Sequence, residues 1–177
     1  MKKTSFNLGW TYWQEGHEEQ RMPVTLPHDA MLHRDRVPKL KNGSYTGYFP
    51  SGDYWYEKRF TPGEDLRGKR IILEFEGIYM DSSVYLNDMK IGGRYYGYSN
   101  FFIDLTDQIK IGEENVLSVF VHCSQVPNAR WYPGNGIYRP VNLYTGEQNC
   151  ILPDSIRIST VSTMPPTVRI LTKAEGD

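Results

Sequence analysis

Apolar residues in this sequence recur at every second position, in short runs of about five to eight residues. Leu117, Val119 and Val121, for example, alternate with the residues between them. Gly, Pro, Asn or Asp bounds each run, and no stretch shows the apolar period of a long amphipathic helix. This pattern predicts an all-β chain that folds as a sandwich or a barrel. The predicted strands cover residues 54–60, 70–75, 84–86, 89–91, 101–105, 117–121, 137–144, 155–160 and 167–172.

The segments between these runs carry residues that favour tight turns. Asn87-Asp88 separates two predicted strands, and both residues tolerate a positive φ, which predicts a two-residue hairpin turn. Residues 112–115 predict a second turn. Residues 62–68 and 104–109 are each suited to a single helical turn.

Composition and charge exclude several classes of protein. With 39% apolar and 23% charged residues, the 177-residue chain is predicted to be globular and soluble. The net charge of −1 argues against a nucleic-acid partner, and no apolar run approaches the ~20 residues of a membrane helix. The two cysteines, Cys123 and Cys150, are too few for a four-cysteine zinc site, so free thiols are favoured.

The N-terminus leaves the location of the protein open. It begins with Met1-Lys2-Lys3, as a signal peptide does, but no apolar stretch follows. The sequence is therefore compatible with a cytoplasmic protein, and equally with a periplasmic or secreted protein whose native leader is removed.

The sequence lacks the usual catalytic and cofactor motifs. It has no Gly-x-Ser-x-Gly elbow, no phosphate-binding loop and no His-Glu-x-x-His, so no catalytic residue and no cofactor are assigned. His28, Asp29, His33 and Asp35 could be imagined as a metal cluster, but their spacing does not suit one helical face. No metal site is assigned, and His28-Asp29 is expected to satisfy backbone groups of a structured loop.

Two carboxylates, Glu74 and Glu76, fall on the same side of one predicted strand. Glycosidases use a pair of carboxylates, so this spacing makes a catalytic pair conceivable. A solvated strand face is the favoured interpretation, because nothing in the sequence indicates that either side chain is buried.

The most unusual segment covers residues 128–139, Asn-Ala-Arg-Trp-Tyr-Pro-Gly-Asn-Gly-Ile-Tyr-Arg. Gly134 and Gly136 permit a tight loop with close backbone approach. Arg130 offers planar hydrogen-bond donors and Trp131 offers a flat apolar face. This mixture suits the hydroxyls and ring faces of a sugar, and it suits a contact between domains equally well.

Residues 130–139 resemble the signature of the sugar-binding N-terminal domain of glycoside hydrolase family 2, which includes β-galactosidases, β-glucuronidases and β-mannosidases. Trp10 and the stretches 24–29, 47–60, 84–105 and 112–121 resemble further motifs of that family, in the same order. The resemblance covers roughly residues 6–145. Asp88 stands where the family often has Gly, and a hairpin turn tolerates this change.

The resemblance implies a jelly-roll β-sandwich of the galactose-binding-domain type over residues 1–147. Residues 148–177 would form a linker and the first strands of a truncated immunoglobulin-like β-sandwich. The alternative is that these last strands join the sheets of the first domain. The family's catalytic glutamates lie in a later (β/α)8 barrel, so the complete enzyme would be a retaining glycosidase and this chain alone would be inactive.

The resemblance also implies a role for this chain in supporting the barrel and lining the sugar subsite. The substrate-binding candidates are Asn128, Arg130, Trp131 and Asp53, and the candidate loops are residues 130–132 and 45–53. The expected partners are a β-galactoside or a related glycoside and the remaining domains of the enzyme, without nucleic acid or membrane. A homo-oligomer stays open, as do β-glucuronidase or β-mannosidase activity, an autonomous carbohydrate-binding module and a purely structural interface domain.

Overall fold

The computed structural model describes residues 1–40, 43–124 and 133–175. Short 3-10 helices occupy Glu18–Gln20, Gly43–Thr46 and Glu64–Leu66, and the remaining elements are strands. The strands are β1 Lys2–Ser5, β2 Trp10–Gln14, β3 Met22–Val24, β4 Tyr54–Phe60, β5 Arg70–Phe75, β6 Ser82–Leu86, β7 Met89–Arg94, β8 Phe101–Asp104, β9 Asn115–Val121, β10 Val141–Gly146, β11 Cys150–Ile151, β12 Arg157–Thr163, β13 Pro166–Leu171 and β14 Ala174–Glu175.

Two antiparallel sheets form the body of the molecule, which confirms the prediction of an all-β sandwich. The six-stranded sheet has the order β3-β2-β4-β9-β6-β7, and the four-stranded sheet has the order β1-β10-β5-β8. Their inner faces share one core, to which Tyr56 and Val119 contribute from the first sheet and Leu73, Phe75 and Val141 from the second. Strand β9 shows the predicted alternation, because every second residue from Asn115 to Val121 is buried.

The predicted turns are confirmed. Asn87 and Asp88 have φ angles of 49° and 66°, the left-handed pair that a tight hairpin between β6 and β7 requires. The stretch 62–68 contains the 3-10 helix at Glu64–Leu66. The stretch 104–109 forms the predicted single helical turn, in which the backbone N–H of Ile109 donates to the carbonyl of Leu105 at 3.0 Å.

Three strands near the N-terminus were not predicted, and the predicted strand 137–144 begins later than expected. Strand β1 is polar and exposed along its length, and β3 lies at the edge of its sheet, so neither carries an alternating apolar pattern. Strand β2 is short and aromatic. The predicted strand 137–144 begins only at Val141, since Pro140 has no N–H to donate to a ladder.

The C-terminal strands pair among themselves. Strand β12 forms a hairpin with β13, and β11 pairs with β14, so within the described residues neither pair joins the two large sheets. The hairpin exposes apolar side chains, including Ile158 and Ile170. The division of the chain at residues 147 and 148 stays a prediction. No helix in the described ranges is long and apolar enough to cross a membrane.

The expectation of a solvated face at Glu74 is wrong. Glu74 is only 5% exposed, because Lys3 on the edge strand β1 reaches over it and ion-pairs at 3.0 Å. The Asn142 amide and the Tyr144 hydroxyl also donate to its carboxylate, at 3.2 and 3.1 Å. Burial opposes ionisation, but these donors and Asn100 hold the pKa of Glu74 below its ordinary value. Glu76 also contacts Lys3, at 3.1 Å, so the two carboxylates share one ammonium group.

We expect Lys3→Met to lower the free energy of unfolding by about 1–3 kcal/mol, because the buried Glu74 carboxylate would lose its ion pair. Lys2→Met is the matched control, since Lys2 is an exposed neighbour on the same strand. Urea unfolding at neutral pH measures both variants. Equal losses of stability in the two variants would contradict a specific role for Lys3.

Candidate functional site

Several loops meet at one end of the six-stranded sheet. Five residues lie in register across five strands, each at the end of its own strand: Gln14, Tyr54, Val121, Ser82 and Arg94. Five connections therefore emerge side by side at this end: those that follow β2, β7 and β9, and those that precede β4 and β6. This loop end contains the segment that the sequence analysis singled out.

Asp53 holds the chain where it leaves β9. One carboxylate oxygen of Asp53 accepts hydrogen bonds from the backbone N–H groups of Cys123 and Ser124, both at 2.8 Å. The other oxygen accepts from the Ser124 hydroxyl at 2.9 Å. Hydrogen bonds to an ionised acceptor are among the stronger ones in proteins, so Asp53 fixes the start of the connection between β9 and β10.

The returning end of the same connection, at Asn135, is held by Gly52, which neighbours Asp53, and by Asp29. The buried side-chain amide of Asn135 donates to the carbonyl of Gly52 at 2.8 Å, and its backbone N–H donates to Asp29 at 3.1 Å. Residues 52 and 53 thus bind both ends of the connection, with Asp29 as a further anchor. The stretch 125–132 lies between these two ends in the sequence.

The structure places only one of the four predicted substrate-binding residues. Asn128, Arg130 and Trp131 lie outside the described residues, so their roles stay predictions. Asp53 lies on the stem of their loop, and both of its carboxylate oxygens bind that stem. The contacts give Asp53 a positioning role, while a direct contact with substrate stays a prediction.

His122 and Asp81, which the sequence analysis did not select as site residues, extend this cluster. The imidazole Nδ1 of His122 lies 3.3 Å from the Asp81 carboxylate, and its Nε2 lies 3.7 Å from the Asp53 carboxylate. The side chains of Asp53, His122 and Asp81 are 21, 33 and 37% exposed, so a ligand can reach them. Position next to a strand could have identified these residues, because each of the three directly follows or precedes a strand at this end.

Exposed tyrosines border the same end, in the connection between β7 and β8. Tyr95, Tyr96 and Tyr98 are 63, 60 and 45% exposed. The Tyr98 ring contacts the Tyr96 ring and the buried Tyr79 ring edge to face, with centroids 5.7 and 5.2 Å apart. These contacts hold flat apolar rings close to hydrogen-bonding groups, because the N–H of Asp81 donates to the Tyr95 carbonyl at 3.1 Å. Such a combination can bind sugar rings.

The loop containing His28 and Asp29 contacts the residues at this end of the sheet. Asp29 accepts hydrogen bonds from the backbone N–H groups of Met31 and Asn135, which confirms its expected role toward the backbone. The His28 ring instead lies 2.8 Å from the Tyr56 hydroxyl, in the core. Burial, with a smaller effect of the neighbouring His33, lowers the pKa of His28 to about 4. Within the described ranges, no group of three or more His, Cys, Asp or Glu residues is arranged to hold a metal.

Gly136 lies where this loop and the sheet approach each other closely. Its φ is +114°, and a Cβ there would lie 2.1 Å from the Tyr56 hydroxyl and 3.2 Å from the carbonyl oxygen of His28. The backbone of Gly136 also pairs with Tyr79 in an isolated bridge. Only glycine fits this position without displacing the core.

Comparison with known proteins identifies the family to which this sandwich belongs. A family described as glycosyl hydrolase 2 galactose-binding domain-like matches residues 10–139. The chain therefore belongs to this glycoside hydrolase family 2 domain family. A crystal structure of a β-glycosidase from Bacteroides vulgatus superposes with a TM-score of 0.90 at 27% identity, covering 100% of this chain and 24% of that chain.

Curated relatives give the same picture. β-Galactosidase BoGH2A of Bacteroides ovatus is 38% identical in an alignment of 149 positions that covers 79% of this chain and 18% of that protein. A β-glucuronidase of Formosa agariphila is 34% identical in an alignment of 183 positions, gaps included, that covers 90% of this chain and 19% of that protein. The chain thus spans less than a fifth of the length of these relatives.

We expect Gly136→Ala to cost at least about 3 kcal/mol of folding free energy, because it combines backbone strain with a clash against Tyr56. Gly68→Ala is the matched control. Gly68 also has a positive φ, +73°, but nothing lies within 4 Å of a Cβ at that position. The control should lose only about 1–2 kcal/mol. Similar losses in chemical unfolding would show that Gly136 is not tightly packed.

We expect acid to destabilise the protein partly through His28. The ring stays neutral in the folded state down to a pKa of about 4, whereas the unfolded chain binds a proton near pH 6.5. Stability from this residue is therefore present above pH 6.5 and is lost toward pH 4, at up to about 1.4 kcal/mol per pH unit. His28→Gln should flatten the pH dependence of unfolding in this window. A slope equal to that of the wild type would contradict the assignment.

Proposed function

We propose that this chain is the non-catalytic N-terminal domain of a glycoside hydrolase, a β-galactosidase, that removes terminal β-linked sugars. The observation that carries the proposal is the family match over residues 10–139, together with the 38% identity to a β-galactosidase. In the complete enzyme, a pair of glutamates in a (β/α)8 barrel performs the retaining double displacement. This chain alone does not hydrolyse glycosides.

The contribution of this chain to the reaction is to position a loop at the sugar subsite. Asp53, Gly52 and Asp29 hold the two ends of the connection from β9 to β10. Such anchoring supports a fixed presentation of Asn128, Arg130 and Trp131 toward the substrate. Fixing a binding group before the substrate arrives lowers the entropy cost of binding.

The 38% identity to a β-galactosidase supports a β-galactoside as the substrate. At the loop end, the partly exposed Asp53 and Asp81 carboxylates flank His122, and such carboxylates accept hydrogen bonds from sugar hydroxyls. β-Glucuronidase and β-mannosidase activities are the alternatives within the same family.

The same proposal divides the chain into the jelly-roll domain, residues 1–147, and a linker with the first strands of an immunoglobulin-like domain, residues 148–177. The exposed apolar side chains of the β12–β13 hairpin, such as Ile158, Val168 and Ile170, support this division. They have the character of a sheet face that other strands cover in a complete domain.

A second candidate function is an autonomous carbohydrate-binding module. The exposed Tyr95, Tyr96 and Tyr98 favour it, since a chain that presents aromatic rings can bind sugars without a barrel. The two functions differ in a simple way. A module binds galactosides as this isolated chain, whereas an enzyme domain contributes only when the barrel is present.

We expect Arg130→Ala in the complete enzyme to reduce kcat/KM for a nitrophenyl β-galactoside by about 10- to 100-fold, without a change in Tm. The reason is that, in this proposal, Arg130 supplies planar hydrogen-bond donors to the sugar. The control is Arg67→Ala, because Arg67 is exposed and ion-pairs with Glu64 on the 3-10 helix Glu64–Leu66. An unchanged kcat/KM with a lowered Tm would instead indicate a structural interface domain.

A further inference from the structure

Three aromatic side chains lie side by side on the outer face of the six-stranded sheet. Trp13 on β2 pairs in register with Trp55 on β4, and Trp55 pairs with Phe120 on β9. The ring centroids of Trp13 and Trp55 lie 6.4 Å apart, and those of Trp55 and Phe120 lie 4.9 Å apart. Adjacent strands fix all three side chains, so the rings form a rigid row.

A cleft of about 510 Å³ opens over the two tryptophans of this row. Its remaining lining is polar, and within the described residues no aliphatic side chain borders it. An aliphatic side chain of a partner protein would therefore find no apolar wall apart from the indoles. The lining residues besides Trp13 and Trp55 are Glu15, Gly16, Glu18, Glu19, Glu57 and Ser118.

Hydrogen bonds and ion pairs hold the lining groups in place. The indole N–H of Trp55 donates to the Glu15 carboxylate. The Arg21 guanidinium lies 3.9 Å from the centre of the Trp13 ring and ion-pairs with the buried Glu57 at 2.9 Å. The indoles and carboxylates are therefore already arranged before any ligand binds, which reduces the cost of ordering them.

The charges of the cleft are unbalanced. Four carboxylates line it, whereas Arg21 ion-pairs with Glu18 and Glu57, and Arg59 reaches Glu57 from outside the lining. The site therefore keeps an excess of negative charge, which attracts cations and repels anions.

We propose that this cleft is a saccharide-binding site that prefers neutral or amino sugars to uronic acids. The C–H face of a pyranose ring packs on the Trp55 indole, because Trp13 is only 7% exposed and the Arg21 guanidinium lies over its ring. The sugar hydroxyls donate hydrogen bonds to the carboxylates. An ammonium group on the sugar adds attraction to the carboxylates, whereas a uronate is repelled. The site consists entirely of residues of this chain, so the proposal holds whether or not the chain belongs to a hydrolase.

Calorimetric titration of the 177-residue chain tests the proposal directly. The probes are a chitosan oligosaccharide, a neutral β-galactan oligosaccharide, an oligogalacturonate, and spermidine as a cation without a sugar ring. We expect saturable binding of the first two, with the amino sugar tighter, and weak or absent binding of the oligogalacturonate. Tighter binding of spermidine than of either sugar would overturn the saccharide assignment in favour of a simple cation site.

Two variants locate the binding. Trp55→Leu should weaken the affinity by about tenfold, because the stacking ring is lost, and Glu15→Gln should weaken it less. The control Glu113→Gln, in the exposed turn before β9, should leave the affinity unchanged. The NMR resonance of the Trp55 indole N–H, assigned by its loss in Trp55→Phe, should shift on binding to the wild type. This readout remains useful if Trp55→Leu lowers stability.

Three results would overturn the proposal. One is no saturation by any saccharide up to about 10 mM. Another is an affinity that is unchanged in both Trp55→Leu and Glu15→Gln. The last is binding that leaves the Trp55 indole resonance in place and is lost in Asp53→Ala, since that would assign the sugar to the loop end and not to the cleft.

Discussion

The two adjacent residues Gly52 and Asp53 bind both ends of one long connection, and the arrangement of the loop end depends on them. The Asp53 carboxylate accepts hydrogen bonds from the chain as it leaves β9, and the Gly52 carbonyl accepts one from Asn135 as the chain returns. Because Asp53 directly precedes β4, a central strand, these contacts connect both ends of the β9–β10 connection to the sheet. His122, next to the anchored residues, is held between two carboxylates for the same reason.

Much of the sandwich could be predicted from local patterns, because a strand with one buried face must alternate. Strand β9 has such a face, and the Asn87-Asp88 turn that precedes β7 follows from the conformations those residues tolerate. The N-terminal edge strand β1 could not be predicted in this way. Its residues are all exposed, and only its pairing with β10, more than 130 residues later, makes it a strand.

The charged groups were harder to predict, because their surroundings come from distant parts of the chain. Glu74 follows three consecutive apolar residues, Ile71 to Leu73, and the local sequence does not show what covers its carboxylate. Lys3 of β1 and Tyr144 of β10 cover it only in the folded state. Asp53 was selected through a family resemblance as a substrate contact, while its hydrogen bonds give it a positioning role. His122 and Asp81 meet across 41 residues of sequence, so no local motif joins them.

Asp53 holds the start of the β9–β10 connection, and amide hydrogen exchange can measure how firmly it does so. Asp53→Ala removes the acceptor for the N–H groups of Cys123 and Ser124. We expect faster exchange at these two amides, while the amides of β9 that pair with β4 keep their protection. Unchanged exchange at Cys123 and Ser124 would contradict the claim, and so would a uniform loss of protection across the whole sheet.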